Sequence, residues 1–430
     1  MDLKKEIKLS DLLPGKRKSA KPEPEAQPEA EAKPQKERKP LLKRELSFKR
    51  KPKEPKAPKE PRAKKERKPR GSSSNKRAKR LVGLKIGASQ LAAARVVNNG
   101  SPELVQIARK DLEPGLVVGG ELREPELLAD ELRAFFRENG LPRQGVRLGI
   151  ANNRIGVRIF EIAGISDSQQ LENAVRFRAQ EVLPIPLEEA VIDFQELSRR
   201  TDEEGNPVVR ILLVVAYREL IDRYVTACKK AGLRLSGIDL EAFALLRALA
   251  EPRLEEDGPS EAAIVVVSIG HDRSTFAVSD GRVCEFTRVL EWGGSTLNVA
   301  IARELNVAPS EAAPFKRNLS LTGDGVPEGL TAEQAPVVRE AVRRQLQNFA
   351  RELVSSLQFY QNQPGSLGIG EIVITGGTAH LGGLAEELQK LIGVRVSVGD
   401  PLTRVKLGRK VKEAEQLGSL AVAIGLGIED

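Results

Sequence analysis

The chain has 430 residues, with 69 Lys+Arg against 60 Asp+Glu, two Cys, two His and one Trp. That length holds one large domain or two to three ordinary ones. Two cysteines, Cys228 and Cys284, argue against a disulfide framework and fit a reducing compartment. With His271 and His380 they leave no zinc-type spacing, which argues against enzymes built on metal ligands or a histidine base. No secretory signal pattern opens the chain and no run of about 18 apolar residues occurs, which argues against a membrane-spanning helix. The net charge of +9 averages two unlike parts: residues 1–80 carry 29 basic and 12 acidic side chains, leaving 40 basic and 48 acidic in the other 350. The tail is strongly basic and the body is acidic.

Residues 1–80 hold 11 of the 26 prolines and almost no β-branched or aromatic side chains. Such a Lys/Pro/Glu/Ala composition buries too little apolar surface to offset ordering entropy, so it predicts a disordered tail. Two apolar islands interrupt it, Ile7–Leu13 and Leu41–Phe48, each followed by a basic cluster. They are candidate short motifs that dock on a partner or touch an anionic membrane, the alternative being compositional drift in a solvated segment.

From Leu81 the pattern alternates between strands and helices. Leu81–Ile86 and Leu91–Val97 read as paired strands. Glu124–Asn139 reads as a helix with an apolar stripe at Leu127, Leu128, Leu132, Phe135 and Phe136, ended by Gly140 and Pro142. Val146–Ala151 and Ile155–Ile162 read as a hairpin or adjacent strands. A helix over Asp167–Leu183 stops at Pro184-Ile185-Pro186, an edge expected to be exposed. Strands Val191–Leu197 and Val208–Tyr217 join through a turn at Asp202–Pro207, and a helix follows over Arg218–Ala231. A second cluster runs through strands at Ala262–Ile269, Ser274–Ser279 and Arg282–Val289, helices at Gly294–Leu305 and Glu333–Gln361, and a strand at Glu371–Thr375. This order predicts an α/β fold in two similar halves.

Three glycine turns stand out. Leu84-Lys85-Ile86-Gly87-Ala88-Ser89 turns one strand into another, and Val267-Ser268-Ile269-Gly270-His271-Asp272-Arg273-Ser274 repeats the shape in the second half. Ile374-Thr375-Gly376-Gly377-Thr378 leaves a strand and enters a helix over Leu384–Leu391. Glycine at such turns lets backbone N–H groups converge on phosphate oxygens. Each turn alone is how hairpins are made; the matched pair followed by Gly-Gly is the stronger signal.

In this order and spacing the turns resemble the phosphate-1, phosphate-2 and adenosine motifs of the actin/sugar-kinase/Hsp70 ATPase superfamily. Leu171–Glu181, Pro184–Glu189, Asp193-Phe194-Gln195, Ala231-Gly232-Leu233, Ile238–Ala244 and Thr375–Leu384 resemble more closely the PilM family, FtsA-like cytoplasmic proteins of type IV pilus assembly. The resemblance covers Leu81 to about Asp430. It implies a two-lobed actin-like ATPase fold with an FtsA-type 1C subdomain behind the disordered tail. Lobe 1 would span 81–149 and return at 233–261; the extra subdomain would span 150–232, lobe 2 would span 262–415, and 416–430 would dock on lobe 1. It further implies ATP between the lobes, held by Lys85, Gly87, Ala88, Ser89, Ser268, Gly270, Arg273, Ser274, Lys316, Gly376, Gly377 and Thr378. Asp239 and Glu241 are candidates to position a water. The implied partner is the N-terminal peptide of a PilN-like inner-membrane protein, in a groove near the subdomain with Phe177, Arg178, Leu183, Pro184 and Ile185 as candidates. Other pilus platform or motor proteins, oligomerisation and a peripheral place at the inner face of the cytoplasmic membrane also follow from it.

Departures from the family pattern bear on the chemistry. Where the family has an Asp before Ile-Gly in each phosphate turn, this chain has Lys85 and Ser268, and a frequent Lys is Ala92. A divalent ion that keeps its waters needs such carboxylates, so both Mg²⁺ anchors are missing. Three outcomes stay open: Lys85 stands in for the metal and nucleotide binds without turnover; the cleft binds no nucleotide and Lys85 pairs with Asp239 or Glu241; or a hydrolase recruits other carboxylates such as Asp272. A scaffold is the leading expectation, with an active FtsA-like ATPase or filament former as the alternative. A nucleic-acid-associated role through the tail is disfavoured, because Phe48 is its only aromatic and stacking would be absent.

Overall fold

In the computed structural model, residues 79–429 are described apart from 183–184, 254–257, 259, 324, 410 and 412–416. Both apolar islands of the tail, and the candidate partner residues Leu183 and Pro184, lie outside the described residues.

β1 (Lys79–Ile86) and β2 (Gln90–Asn99) pair antiparallel across Gly87, and β3 (Ser101–Asp111) continues the meander. A small hairpin, β4 (Val117–Val118) and β5 (Glu121–Leu122), leads to α1 (Pro125–Glu138). The stripe of α1 buries Leu128, Leu132, Phe135 and Phe136, whereas Leu127, expected in it, is 58 % exposed. β6 (Gln144–Ile150) then lies parallel to β1.

The expected hairpin of β6 with β7 (Ile155–Ala163) does not form. β6 is already paired on both sides within the first sheet, and the chain instead turns at Asn152 into a separate three-stranded sheet, order β7-β9-β8. Asn152 fixes that turn by accepting the Arg154 N–H and donating to the Gly119 carbonyl. α2 (Ser168–Val182), β8 (Ala190–Thr201) and β9 (Pro207–Tyr217) complete the unit. Alternation along β9 explains its two faces: Val209, Ile211, Leu213 and Val215 pack under α2, while Leu212, Val214 and Ala216 pack toward the first sheet. α3 (Arg218–Lys230) returns the chain to β10 (Arg234–Leu240), parallel to β6, and α4 (Glu241–Leu249).

The second half repeats the opening. β11 (Ala262–Ile269) and β12 (Ser274–Ser279) pair antiparallel across Gly270, and β13 (Cys284–Leu290) extends the meander. Helices α5 (Gly294–Leu305), α6 (Ala312–Asn318) and α7 (Gln334–Gln361) precede β14 (Gly368–Thr375), parallel to β11. α8 (Leu384–Ile392), β15 (Val396–Val398) and β16 (Lys406–Leu407) follow, β16 pairing back with β3. The sheet orders are β10-β6-β1-β2-β3-β16 and β13-β12-β11-β14-β15. Trp292 is buried in the second core and stacks on Phe349 at 4.1 Å.

The last helix, α9 (Ala421–Gly427), is buried throughout and packs on β1 and β2 on one side and α4 on the other. Glycine makes that approach possible. A Cβ on Gly83 would lie 2.0 Å from the Ala423 carbonyl oxygen.

Candidate functional site

The two phosphate-type turns share one hydrogen-bond pattern. Gly87 donates its N–H to the Gln90 carbonyl at 3.0 Å, and Gly270 donates to the Arg273 carbonyl at 2.9 Å. Both turns open on a cavity of about 370 Å³ between the two halves. Gly376 brings the third turn against them: its φ is +94°, and a Cβ there would meet the Ile269 carbonyl oxygen at 2.4 Å. Thr378 Oγ1 then donates to the Gly270 carbonyl at 3.3 Å, and Gly294 N–H donates to the same carbonyl at 2.9 Å.

Of the residues proposed from sequence, Lys85, Gly87, Ala88 and Ser89 line the cavity from the first half; Ser268, Gly270, Arg273, Lys316, Gly376, Gly377 and Thr378 line it from the second. Ser274 does not. It is fully buried and its Oγ donates to the Trp292 carbonyl at 2.7 Å, because the strand alternation turns it inward. Glu241 faces the cavity, and its carboxylate meets Lys85 Nζ at 3.3 Å. Asp239 does not reach it; that carboxylate pairs with Arg247 on the other side of β10. Lys85 has therefore taken Glu241 and not Asp239.

Arg109, Arg317 and Asn298 join the cavity wall without having been singled out in the sequence. The wall then carries Lys85, Arg109, Arg273, Lys316 and Arg317 against Asp111, Glu241 and Asp272, a balance that favours an anion. Burial pushes the Lys316 ammonium down to about 8, with the neighbouring Arg317 charge acting in the same direction. Its Nζ donates to the Gly294 carbonyl at 2.9 Å. Burial and Lys316 also lower His271, with Asp272 opposing. Asn298 is 6 % exposed, and its Oδ1 accepts no hydrogen bond among the described residues.

Neither phosphate turn offers the carboxylate that would anchor a hydrated Mg²⁺, since Lys85 and Ser268 stand at those positions of the cavity wall. No group of three or more His, Cys, Asp or Glu side chains is arranged to hold a metal among the described residues. Glu241 is engaged by Lys85, and Asp272 Oδ2 accepts the Gly119 N–H at 3.1 Å. The latter contact belongs to a strap. Gly119 and Gly120, at the tip of the β4–β5 hairpin, reach over from the first half, where the Gly120 carbonyl accepts the Tyr224 hydroxyl. The Arg273 guanidinium sits so close that a Cβ on Gly120 would meet it at 1.7 Å. A Gly-Gly pair between valines and Glu-Leu is a hairpin signal visible in the sequence; where its tip docks is not.

A second concave site lies between the first sheet and the three-stranded one. It is a groove of about 160 Å³ with Leu212 and Val214 of β9, Ile238 of β10, and Phe194 and Phe243 giving it an apolar lining. Arg147, Asp193, Asp239 and Arg247 supply its charges. The candidate partner residues lie elsewhere. Phe177 is 68 % exposed on α2 and Arg178 pairs with Glu181 beside it, on the opposite face of the three-stranded sheet from the groove. Ile185, expected at an exposed edge, is 8 % exposed in the core beneath α2, where the turn folds it under the sheet.

The family model described as type IV pilus assembly protein PilM matches residues 83–430. A solved PilM-PilN type IV pilus biogenesis complex has a chain 28 % identical, with a TM-score of 0.67 over 81 % of this chain and 97 % of that one. The cell division protein FtsA of Escherichia coli K12 is 25 % identical over 373 residues, covering 75 % of this chain and 84 % of FtsA. MreB5 of Spiroplasma citri bound to ADP is 13 % identical with a TM-score of 0.45, covering 81 % of this chain and 94 % of that one. The fold is the one solved for PilM, with FtsA among its relatives, in keeping with the actin-like fold that the glycine turns implied. Among the described residues no helix is long and apolar enough to cross a membrane.

Proposed function

The chain belongs to the type IV pilus assembly protein PilM family, and from that premise we propose that it is a scaffold of the pilus machine which grips the N-terminal peptide of a PilN-like membrane protein. The observation that carries this reading is the groove between β8 and β10. It is apolar inside, it carries charges of both signs on its walls, and it lies between two strands that each end a sheet. An extended peptide bonds to such edges through its backbone and seats alternate side chains in the groove. In the related complex the family member is solved together with PilN. The face around Phe177 supports this less well, since one exposed ring on a helix is not a groove.

The test is binding of a synthetic PilN-type N-terminal peptide to the purified chain. Val214→Asp, in the groove, should abolish it, and Phe177→Ala should leave it unchanged. Loss with Phe177→Ala and retention with Val214→Asp would move the peptide to α2.

The cleft between the halves we read as a nucleotide site that has exchanged its metal for protein cations. Beyond the Lys85–Glu241 pair, Arg109, Arg273, Lys316 and Arg317 supply positive charge, and the glycine turns supply backbone donors. Without a metal clamp on the transferring phosphoryl group, hydrolysis has little to drive it. Labelled ATP should bind equally well with Mg²⁺ and with EDTA; no binding in either condition ends this part of the proposal. Peripheral membrane contact would fall to the basic tail, whose lysines and arginines are each worth about 1 kcal/mol at an anionic surface.

A further inference from the structure

The groove has a second occupant available, within the same chain. We propose that Ile7–Leu13 of the tail lies in the groove between β8 and β10 when no partner peptide is present, and that it competes with the partner. This rests on reading the groove as a peptide site, as above.

Shape gives the first reason. β10 ends the six-stranded sheet and β8 ends the three-stranded one, so the groove runs between two strand edges. A strand of five to seven residues fills such a slot, its alternate side chains pointing to opposite sides. In Ile7-Lys8-Leu9-Ser10-Asp11-Leu12-Leu13, apolar Ile7 and Leu9 alternate with polar Lys8 and Ser10; Asp11 breaks the alternation on the Ile7–Leu9 side, and Pro14 ends the run.

Charge gives the second. The groove walls carry two acidic and two basic side chains, Asp193 and Asp239 against Arg147 and Arg247. Ile7–Leu13 carries Lys8 and Asp11, one of each sign and no net charge. The other island, Leu41–Phe48, has two basic residues to one acidic and runs straight into Lys49-Arg50-Lys51. It suits an anionic surface better than this groove.

Reach gives the third. Lys79 and Asp239 are two strands apart in the first sheet and about six residues apart along it, from the pairing of Lys85 with Gly149 and Gly149 with Asp239. At strand spacings that is about 20–25 Å. Pro14 to Ala78 is 65 residues. A chain of that length can span up to about 200 Å, so the groove is within reach. Tethering then holds the segment near the groove at a concentration on the order of 1 mM. A segment whose free affinity was only about 100 μM would fill the groove about nine-tenths of the time.

The full-length chain carrying benzoylphenylalanine in place of Leu9 tests this directly. Irradiated at low micromolar concentration, it should yield intramolecular adducts on residues 191–195 of β8 or 237–240 of β10. Adducts elsewhere on the body, or between molecules, overturn the proposal. A titration gives an independent readout: a synthetic peptide of residues 1–17 should bind the Ile7→Asp, Leu9→Asp full-length chain about tenfold more tightly than the wild-type chain. Equal affinity, or no binding to the variant, overturns it. A PilN-type peptide that binds wild type and variant equally removes self-occupancy and leaves the partner assignment standing. One that binds neither, while the Leu9 adducts still map to the groove, removes the partner assignment and leaves self-occupancy standing.

Discussion

Asp239 and Glu241 stand two residues apart at the junction of β10 and α4, and they serve different sites. Asp239 pairs with Arg247 in the wall of the groove proposed to take a peptide, while Glu241 pairs with Lys85 in the cleft between the halves at 3.3 Å. A strand directs successive residues to opposite faces, and here the helix start reverses the second carboxylate, so one short segment borders both sites.

That pairing predicts a stability effect for Lys85. Lys85→Met leaves the Glu241 carboxylate, on a residue 7 % exposed, without its cation, which should cost about 3 kcal/mol. Adding Glu241→Gln should recover most of the loss, because the remaining amide no longer carries a buried charge. Urea denaturation of the two single variants and the double variant forms the cycle. A Lys85→Met midpoint equal to wild type would mean that the ion pair contributes nothing.

The depressed Lys316 ammonium predicts how nucleotide binding depends on pH. Its value near 8 lies below the ordinary lysine value, so in the empty cleft it loses its proton as pH rises through 8. A bound polyphosphate favours the charged form, so affinity should fall by up to about tenfold per pH unit above 8 and be flat below 7. Lys316→Arg, charged throughout, should give a flat profile to pH 10. Isothermal titration in EDTA at pH 7, 8 and 9.5 checks both; a wild-type affinity unchanged at 9.5 would dissociate Lys316 from the anion.

Much of this site was legible because its determinants are local. A strand ending in Ile-Gly states both the end of the strand and the turn that follows, so Gly87, Gly270 and Gly376 could be placed in the cleft from sequence. What was not legible depends on distant chain. Alternation along the second half shows that Ser274 and its neighbours sit in a strand, but not which face meets the cleft. The Pro-Ile-Pro turn reads as a surface edge, yet the core beneath α2 takes up Ile185. Asp239 and Glu241 look equivalent in the sequence, and only the packing of Arg247 and Lys85 separates them. The groove between β8 and β10 is made by two strand edges from different sheets, which no local pattern marks.

The strap over the cleft makes a contrast between two adjacent glycines. Gly119 and Gly120 both have positive φ, +59° and +63°, so alanine at either should cost about 1 kcal/mol in backbone strain. Only at Gly120 would the new methyl collide, with the Arg273 guanidinium and, at 2.8 Å, with the Ala151 carbonyl oxygen; nothing lies within 4 Å of a Cβ on Gly119. Gly120→Ala should therefore displace the guanidinium and loosen the β4–β5 hairpin, while Gly119→Ala should not. Hydrogen exchange over residues 117–122 and 271–273 reads the difference. Equal exchange in the two variants would show that Arg273 does not hold the strap.

The contact of α4 with α9 predicts the most severe single-methyl effect in the body. A Cβ on Gly425 would stand 1.8 Å from the Ala244 carbonyl oxygen, a backbone atom that no rotamer change can move aside. Ala244 is itself fully buried, and α9 is held on its other side by the close approach of Gly83 to Ala423. The helix has nowhere to retreat, so Gly425→Ala must separate α4 from α9 and should destabilise by about 3 kcal/mol, the upper end for overpacking. For comparison, Gly368→Ala, in a strand with open space around its Cβ position, should change stability by less than about 1 kcal/mol. α4 begins at Glu241, so the displacement should also reach the Lys85 ion pair and weaken ATP binding along with the fold. Thermal unfolding and ATP titration of Gly425→Ala measure the two effects. Loss of stability with unchanged ATP affinity would show that α9 supports the body without supporting the cleft.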